Sequence, residues 1–260
     1  MKKTFDTNFG TTSYSITGNG ETLVFLHGFL GDSSIWNPFV EHFNTNYKIV
    51  TIDLPGHGET AIVQDEITMD FSARLVNEIL EKEGISNIHL IGHSMGGYVG
   101  LAYANLFTKN IKSLTLFNST AKADSKQKQS DRLKAVRVFD MNPSIFIDEA
   151  IKNLFYENNL TKFPEEVLRL TKIAKKTSVK GAQGSLRGMR TRKDYVEWLS
   201  KQKFPILYIA GKNDNTIPYT SIIEQKGDAN LTTLENSGHM GFVEEKEKCI
   251  KAIEEFITLL

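Results

Sequence analysis

Gly92-His93-Ser94-Met95-Gly96-Gly97 joins an apolar run (Ile88, Leu90, Ile91) to a second one with helical spacing (Tyr98, Val99, Leu101, Ala102, Leu106). A serine between two glycines at a strand-to-helix junction can be forced onto a very sharp turn. Its hydroxyl then stands clear of the backbone at the mouth of a sheet, where an attacking nucleophile is needed. Side chains at positions 92 and 96 would collide with the neighbouring strand and helix as the chain doubles back. The turn predicts strain at Ser94, costing roughly 1–3 kcal/mol that the surroundings must offset.

A serine hydroxyl is a weak nucleophile at neutral pH and needs a base within hydrogen-bond reach. That base is a histidine held in one tautomer, usually by a carboxylate. Of six histidines, His239 lies in Ser237-Gly238-His239-Met240-Gly241, between the last strand-like run and the last helix-like one. Asp214, in Gly211-Lys212-Asn213-Asp214, directly follows the apolar run Ile206-Leu207-Tyr208-Ile209-Ala210 and is the favoured carboxylate. Asp124, beyond the preceding strand, is the alternative acid. The order Ser94, Asp214, His239 is the one that a strand–turn–helix nucleophile predicts.

Outward from these residues, strand-like and helix-like runs alternate. Thr4–Thr7 and Thr12–Thr17 read as an antiparallel pair, and Leu23–Leu26 and Tyr47–Ile52 as strands. Ser34 is positioned to cap a helix burying Ile35, Trp36, Phe39, Val40 and Phe43. Phe71, Leu75, Val76, Ile79 and Leu80 recur at helical spacing up to Gly84. Leu114–Phe117 and Leu231–Leu234 are further strands, and an amphipathic helix closes the chain. Alternation of this kind predicts an α/β fold with a mostly parallel, doubly wound sheet. Ser94, Asp214 and His239 all follow strands, so they can meet at the carboxyl edge, where such sheets bind ligands.

From Thr120 to Lys203 the pattern changes to lysine-rich and helix-like. Pro143 and Pro164 mark helix starts, after Asn142 and Phe163. This block holds 19 Lys and Arg against 10 Asp and Glu, although the whole chain is balanced at 31 of each. A balanced chain predicts neither nucleic-acid nor membrane binding. The lysines read first as a solvated helix face. The sharper reading places Arg187, Arg190 or Arg192 in the pocket against an anionic substrate, because the guanidinium fork suits a carboxylate or phosphate. Gly181, Gly184 and Gly188 suggest a hinged segment or close packing there, and not a long regular helix.

Cys249 is the one cysteine, so no intramolecular disulfide forms, and no metal site is suggested. The start of the chain lacks the apolar core of a signal peptide, and no run reaches the ~18 apolar residues of a membrane span. A soluble cytoplasmic protein, monomer or homodimer, is the expectation.

With these motifs, the chain resembles the α/β-hydrolase superfamily over essentially its full length, as a small capped serine esterase or enol-lactonase. The matching stretches are Leu26-His27-Gly28-Phe29, Asp53-Leu54-Pro55-Gly56-His57-Gly58, the Ser94 hexapeptide, Gly211-Lys212-Asn213-Asp214 and Gly238-His239-Met240. The resemblance implies a core of residues 1–119 and 204–260, with residues 120–203 inserted as a helical cap. It implies that the backbone N–H groups of Phe29 and Met95 form the oxyanion hole. His27, Gly28 and His93 join Arg187 and Arg190 as candidate pocket residues. His27 is also read as a support for the oxyanion turn, and His57 and Asp53 as braces of their loop.

The expected function is a serine hydrolase acting on a small to medium carboxylic ester, thioester or lactone through Ser94, His239 and Asp214, with no cofactor. The alternative is a lyase or C–C bond hydrolase using the same residues on an anionic substrate. Menaquinone-pathway enzymes that eliminate pyruvate from a cyclohexene dicarboxylate are near relatives in that reading. A ligand-binding receptor that kept the fold without turnover is the third possibility.

Overall fold

The computed structural model describes residues 2–7, 9–62 and 64–260. Eight strands form one sheet: β1 (Lys2–Thr7), β2 (Gly10–Thr17), β3 (Thr22–Leu26), β4 (Lys48–Ile52), β5 (Ile88–His93), β6 (Ile111–Phe117), β7 (Ile206–Gly211) and β8 (Asn230–Leu234). Their spatial order is β1-β2-β4-β3-β5-β6-β7-β8. The β1–β2 and β2–β4 pairs are antiparallel, and every other pair is parallel. Strands β3 and β5 are buried along their whole length, and Leu23–Leu26 of β3 reads as an unbroken apolar run because both faces are covered.

The helices are α1 (Asn37–Phe43), α2 (Met69–Lys82), α3 (Met95–Leu106), α4 (Lys126–Met141), α5 (Pro143–Leu154), α6 (Pro164–Ala174), α7 (Val179–Arg190), α8 (Val196–Ser200), α9 (Tyr219–Gln225), α10 (Gly241–Glu244) and α11 (Lys246–Thr258). Between β6 and β7 the chain is helical, with five α-helices and no strand. Among the described residues, no helix is long and apolar enough to cross a membrane.

Two local readings are corrected. Asp32, not Ser34, caps the segment after β3. Its carboxylate accepts from the Ser34 N–H at 3.0 Å and opens a 3-10 turn over Ser33–Trp36 before α1. The carboxylate is the stronger acceptor, and the tighter turn puts Ile35 and Trp36 into the core. The glycine-bearing segment at 181–188 is a regular helix, α7, and its glycines serve close packing. A Cβ at Gly181, Gly184 or Gly188 would overlap the carbonyl oxygens of Gly56, Gln64 and Ile67 respectively. The Ile67 N–H donates to the Gly184 carbonyl at 2.9 Å across the same contact.

Strands β5, β6, β7 and β8 are consecutive in the sheet and parallel. The residues that follow each of them therefore emerge at one edge.

Candidate active site

Ser94 follows β5 and opens α3 with φ 50° and ψ −114°. This is a left-handed conformation that side chains other than glycine rarely adopt. The tight passage has visible causes. A Cβ at Gly92 would overlap the Gly96 carbonyl oxygen, and one at Gly96 would overlap the Leu26 carbonyl oxygen. The turn is tied down from three sides. The Ser94 N–H donates to the Phe117 carbonyl at 2.9 Å, the Ser119 hydroxyl donates to the Ser94 carbonyl at 2.8 Å, and the Gly97 N–H donates to that carbonyl at 2.9 Å.

His239 and Asp214 reach this serine from the ends of β8 and β7. His239 Nδ1 lies 2.7 Å from Asp214 Oδ2, and Nε2 lies 2.8 Å from Ser94 Oγ. An ionised carboxylate only accepts, so Nδ1 carries the proton and Nε2 is left to accept the serine O–H. Asp214 is buried, which alone would raise its pKa. The imidazole of His239 and the N–H groups of Ile217 and Thr216 outweigh burial and hold the carboxyl below its ordinary range. Those N–H groups donate to Asp214 Oδ1 at 2.9 and 2.8 Å. Such a chain can draw the serine proton toward the ring as the hydroxyl oxygen attacks.

Three supports went unread in the sequence. Asn118, just past β6 at φ 43°, donates from Nδ2 to Asp214 Oδ2 and to the Gly238 carbonyl, both at 3.1 Å. It bridges the acid to the histidine loop. Glu244 accepts from the N–H groups of Gly238 and Tyr156 at 2.9 and 2.7 Å, and from Asn159 Nδ2 at 2.9 Å. The His239 N–H donates to the Leu154 carbonyl at 2.7 Å. The histidine loop is thus fastened to the end of α5 and the segment that follows it. No local motif announces any of these residues; each acts through partners distant in sequence.

A cavity of about 120 Å³ exposes Ser94 and His239, with Gly28, Phe29, His93 and Tyr98 in its wall. The helices between β6 and β7 contribute Lys128, Arg132, Ile151, Leu154, Leu170 and Met189. His93 Nε2 donates to the His239 carbonyl at 2.9 Å. Burial, reinforced by the neighbouring His239, pushes the His93 pKa down to about 3, so its ring stays neutral.

Other candidates stand elsewhere. His27 is buried outside the cavity wall. Its Nδ1 donates to the Gly28 carbonyl at 2.8 Å, and its Nε2 accepts from the Leu54 N–H at 2.9 Å. Both ring nitrogens are occupied, so it holds two loops together. Arg187 and Arg190 do not line the cavity. Arg187 donates to the Asp65 carbonyl at 3.1 Å and docks α7 on the core. Met189 is the member of this turn that faces the cavity, and Arg190 is rotated about 100° away by the helical repeat. The alternative acid Asp124 is paired with Arg132 and Arg192 and makes no bond to His239. Asp53 braces its loop, accepting from the Ser33 and Glu59 N–H groups at 2.8 and 3.0 Å. Among the described residues, no group of three or more His, Cys, Asp and Glu side chains is arranged to hold a metal ion.

This architecture has relatives. The family model for the alpha/beta hydrolase fold matches residues 21–246. The chain belongs to the alpha/beta hydrolase family. It is 26% identical over 259 residues to a 2-hydroxy-6-oxononadienedioate/2-hydroxy-6-oxononatrienedioate hydrolase of Burkholderia vietnamiensis, covering 94% of this chain and 90% of that protein. It is 27% identical over 255 residues to 3-oxoadipate enol-lactonase 1 of Acinetobacter baylyi, covering 95% and 93%. In structure it superposes on a thermophilic esterase from Thermogutta terrifontis with a TM-score of 0.93, at 24% identity over 99% of this chain and 98% of the other. That likeness is one of fold. The alpha/beta hydrolase described here is therefore a hydrolase by family, with relatives named for different bonds.

Proposed function

We propose that this hydrolase cleaves a small to medium carboxylic ester, thioester or lactone through an acyl-enzyme on Ser94. The observation that carries the reading is the unbroken hydrogen-bonded chain Ser94–His239–Asp214 opening into a cavity. Ser94 Oγ attacks the substrate carbonyl as His239 Nε2 takes its proton. Asp214 stays ionised and stabilises the imidazolium. The N–H groups of Phe29 and Met95 receive the developing oxyanion, each donor worth roughly 2.7–4 kcal/mol. In support, no hydrogen bond among the described residues draws on either N–H. Free donors beside a strained serine suit a negative charge that exists only during reaction. His239 then protonates the leaving group, and a water that it activates releases the acyl group. The helices over the cavity act as a cap, residues 120–203.

A second reading is hydrolysis or elimination at a C–C bond of an anionic substrate. The presence of Lys128 and Arg132 in the cavity wall favours it, as does the relative named for an oxo-dioate.

A fluorophosphonate probe tests the shared first step. Wild type labels, and Ser94→Ala does not. Asp214→Asn reduces the labelling rate by about 10²–10⁴-fold, because an amide neither fixes the tautomer nor stabilises the imidazolium. Equal labelling of Ser94→Ala would remove the nucleophile from the proposal.

A further inference from the structure

The cavity that exposes Ser94 has an electrostatic bias. Lys128 and Arg132 line it, and no aspartate or glutamate does. Behind Arg132, the buried Asp124 carboxylate is shared by two guanidinium groups, those of Arg132 and Arg192. One anion therefore serves two arginines, and Lys128 beside them has no ion-pair partner among the described residues. Asp131, the nearest acidic neighbour along α4, is exposed and bonded to Lys134.

The arginines are held in place. Arg132 spends Nε and Nη2 on Asp124, leaving Nη1 against the Met189 sulfur at 3.3 Å. Arg192 donates from Nη2 to the Lys122 carbonyl at 2.9 Å, and its guanidinium lies 4.0 Å above the Tyr98 ring. A thioether sulfur is a weak acceptor, so Arg132 Nη1 retains donor capacity toward an oxygen in the cavity. Half-burial and the repulsion of Arg132 lower the pKa of Lys128, so an anion placed beside it would favour its charged form.

We propose that Lys128 and Arg132, positioned by Asp124 and Arg192, form a subsite for a carboxylate that the substrate carries apart from its scissile carbonyl. It deepens the hydrolytic reading above and rests on it for the placement of that carbonyl at Ser94. The carboxylate oxygens accept from Lys128 Nζ and from Arg132 Nη1. A charge-assisted pair in a partly desolvated cavity contributes roughly tenfold to a hundredfold in binding. A lysine that merely solvated the helix face would contribute nothing of the kind.

The test compares two esters of matched length, mono-4-nitrophenyl adipate and 4-nitrophenyl hexanoate. Wild type favours the adipate monoester by about tenfold or more in kcat/KM, mainly through KM. Lys128→Met removes that preference, lowering kcat/KM for the adipate monoester about tenfold more than for the hexanoate, and Lys128→Arg retains it. Calorimetry of free adipate against Ser94→Ala, with and without Lys128→Met, reads the subsite without turnover. Binding by Ser94→Ala and its loss in the double variant would uphold the subsite even if neither ester is cleaved, which would sink only the hydrolytic reading. Cleavage of both esters without preference, unchanged by Lys128→Met, with no adipate binding, would overturn the subsite and leave the serine mechanism standing.

Discussion

At the scale of single residues, the cost of the site is concentrated at Ser94. Its backbone sits at φ 50° and ψ −114°, where a Cβ costs roughly 1–3 kcal/mol. Alanine at this position keeps the Cβ and the strain, whereas glycine releases it. With strain near the middle of that range, about 2 kcal/mol, and a glycine entropy cost of about 0.5–1 kcal/mol, Ser94→Gly should melt above Ser94→Ala by about 2–6 °C, at roughly 2–4 °C per kcal/mol for a chain of this size. Both variants lose the hydroxyl and its bond to His239, so thermal melts of the pair isolate the backbone contribution. Equal melts would place the strain elsewhere. The meeting of Ser94, His239 and Asp214 was legible in the sequence because each follows a strand and carries glycine nearby. Asn118 was not legible. Its role depends on β6 lying between β5 and β7, which is a property of the assembled sheet.

At the scale of elements, α7 shows how composition can mislead. Its three glycines invite the reading of a hinge or of close packing, and their spacing at 181, 184 and 188 lays one bare helix face on the backbone of Gly56, Gln64 and Ile67. That contact also explains Arg187, whose sequence context suggested substrate and whose guanidinium is spent on the Asp65 carbonyl. The apolar positions Val179, Ala182, Leu186 and Met189 do recur at helical spacing, but three glycines among them obscure the helix in the sequence. Gly188→Ala is a discriminating test. Helix propensity alone favours alanine by about 1 kcal/mol. The new Cβ would instead overlap the Ile67 carbonyl carbon and oxygen, and backbone cannot yield as a side-chain tip can. A net loss of about 1–3 kcal/mol is expected in urea unfolding, whereas Lys180→Ala on the same helix, at an exposed position, should stay within about 0.5 kcal/mol. A Gly188→Ala variant more stable than wild type would mean that α7 slides freely over the core.

At the scale of the whole molecule, the histidine complement couples the fold to pH. His27, His57 and His93 are buried, and burial lowers all three pKa values. For His57 and His93 burial, then a neighbouring imidazole, brings them down to about 3. An unfolded chain holds these protons below about pH 6.5, and the folded chain does not take them up until about pH 3. Between those limits the unfolded state binds more protons, so stability falls as pH is lowered. Each of the two histidines adds a slope of about 1.4 kcal/mol per pH unit. The carboxyls of Asp53 and Asp214, held below their ordinary range, act in the same direction only once pH drops below about 4. Glu21 and Glu83, also held below their ordinary range by their lysine partners, begin to act in the same direction near pH 5, so the upper part of the window, from about pH 6 to 5, is dominated by the histidines. Calorimetric unfolding at pH 5 in buffers of differing ionisation heat should register uptake of two or more protons. His93 lies against the His239 carbonyl and His57 against the Pro55 carbonyl, so acid should loosen the floor of the site together with the fold, with activity and near-ultraviolet dichroism lost over one transition. Unfolding without proton uptake at pH 5 would show that these rings already carry charge inside the protein.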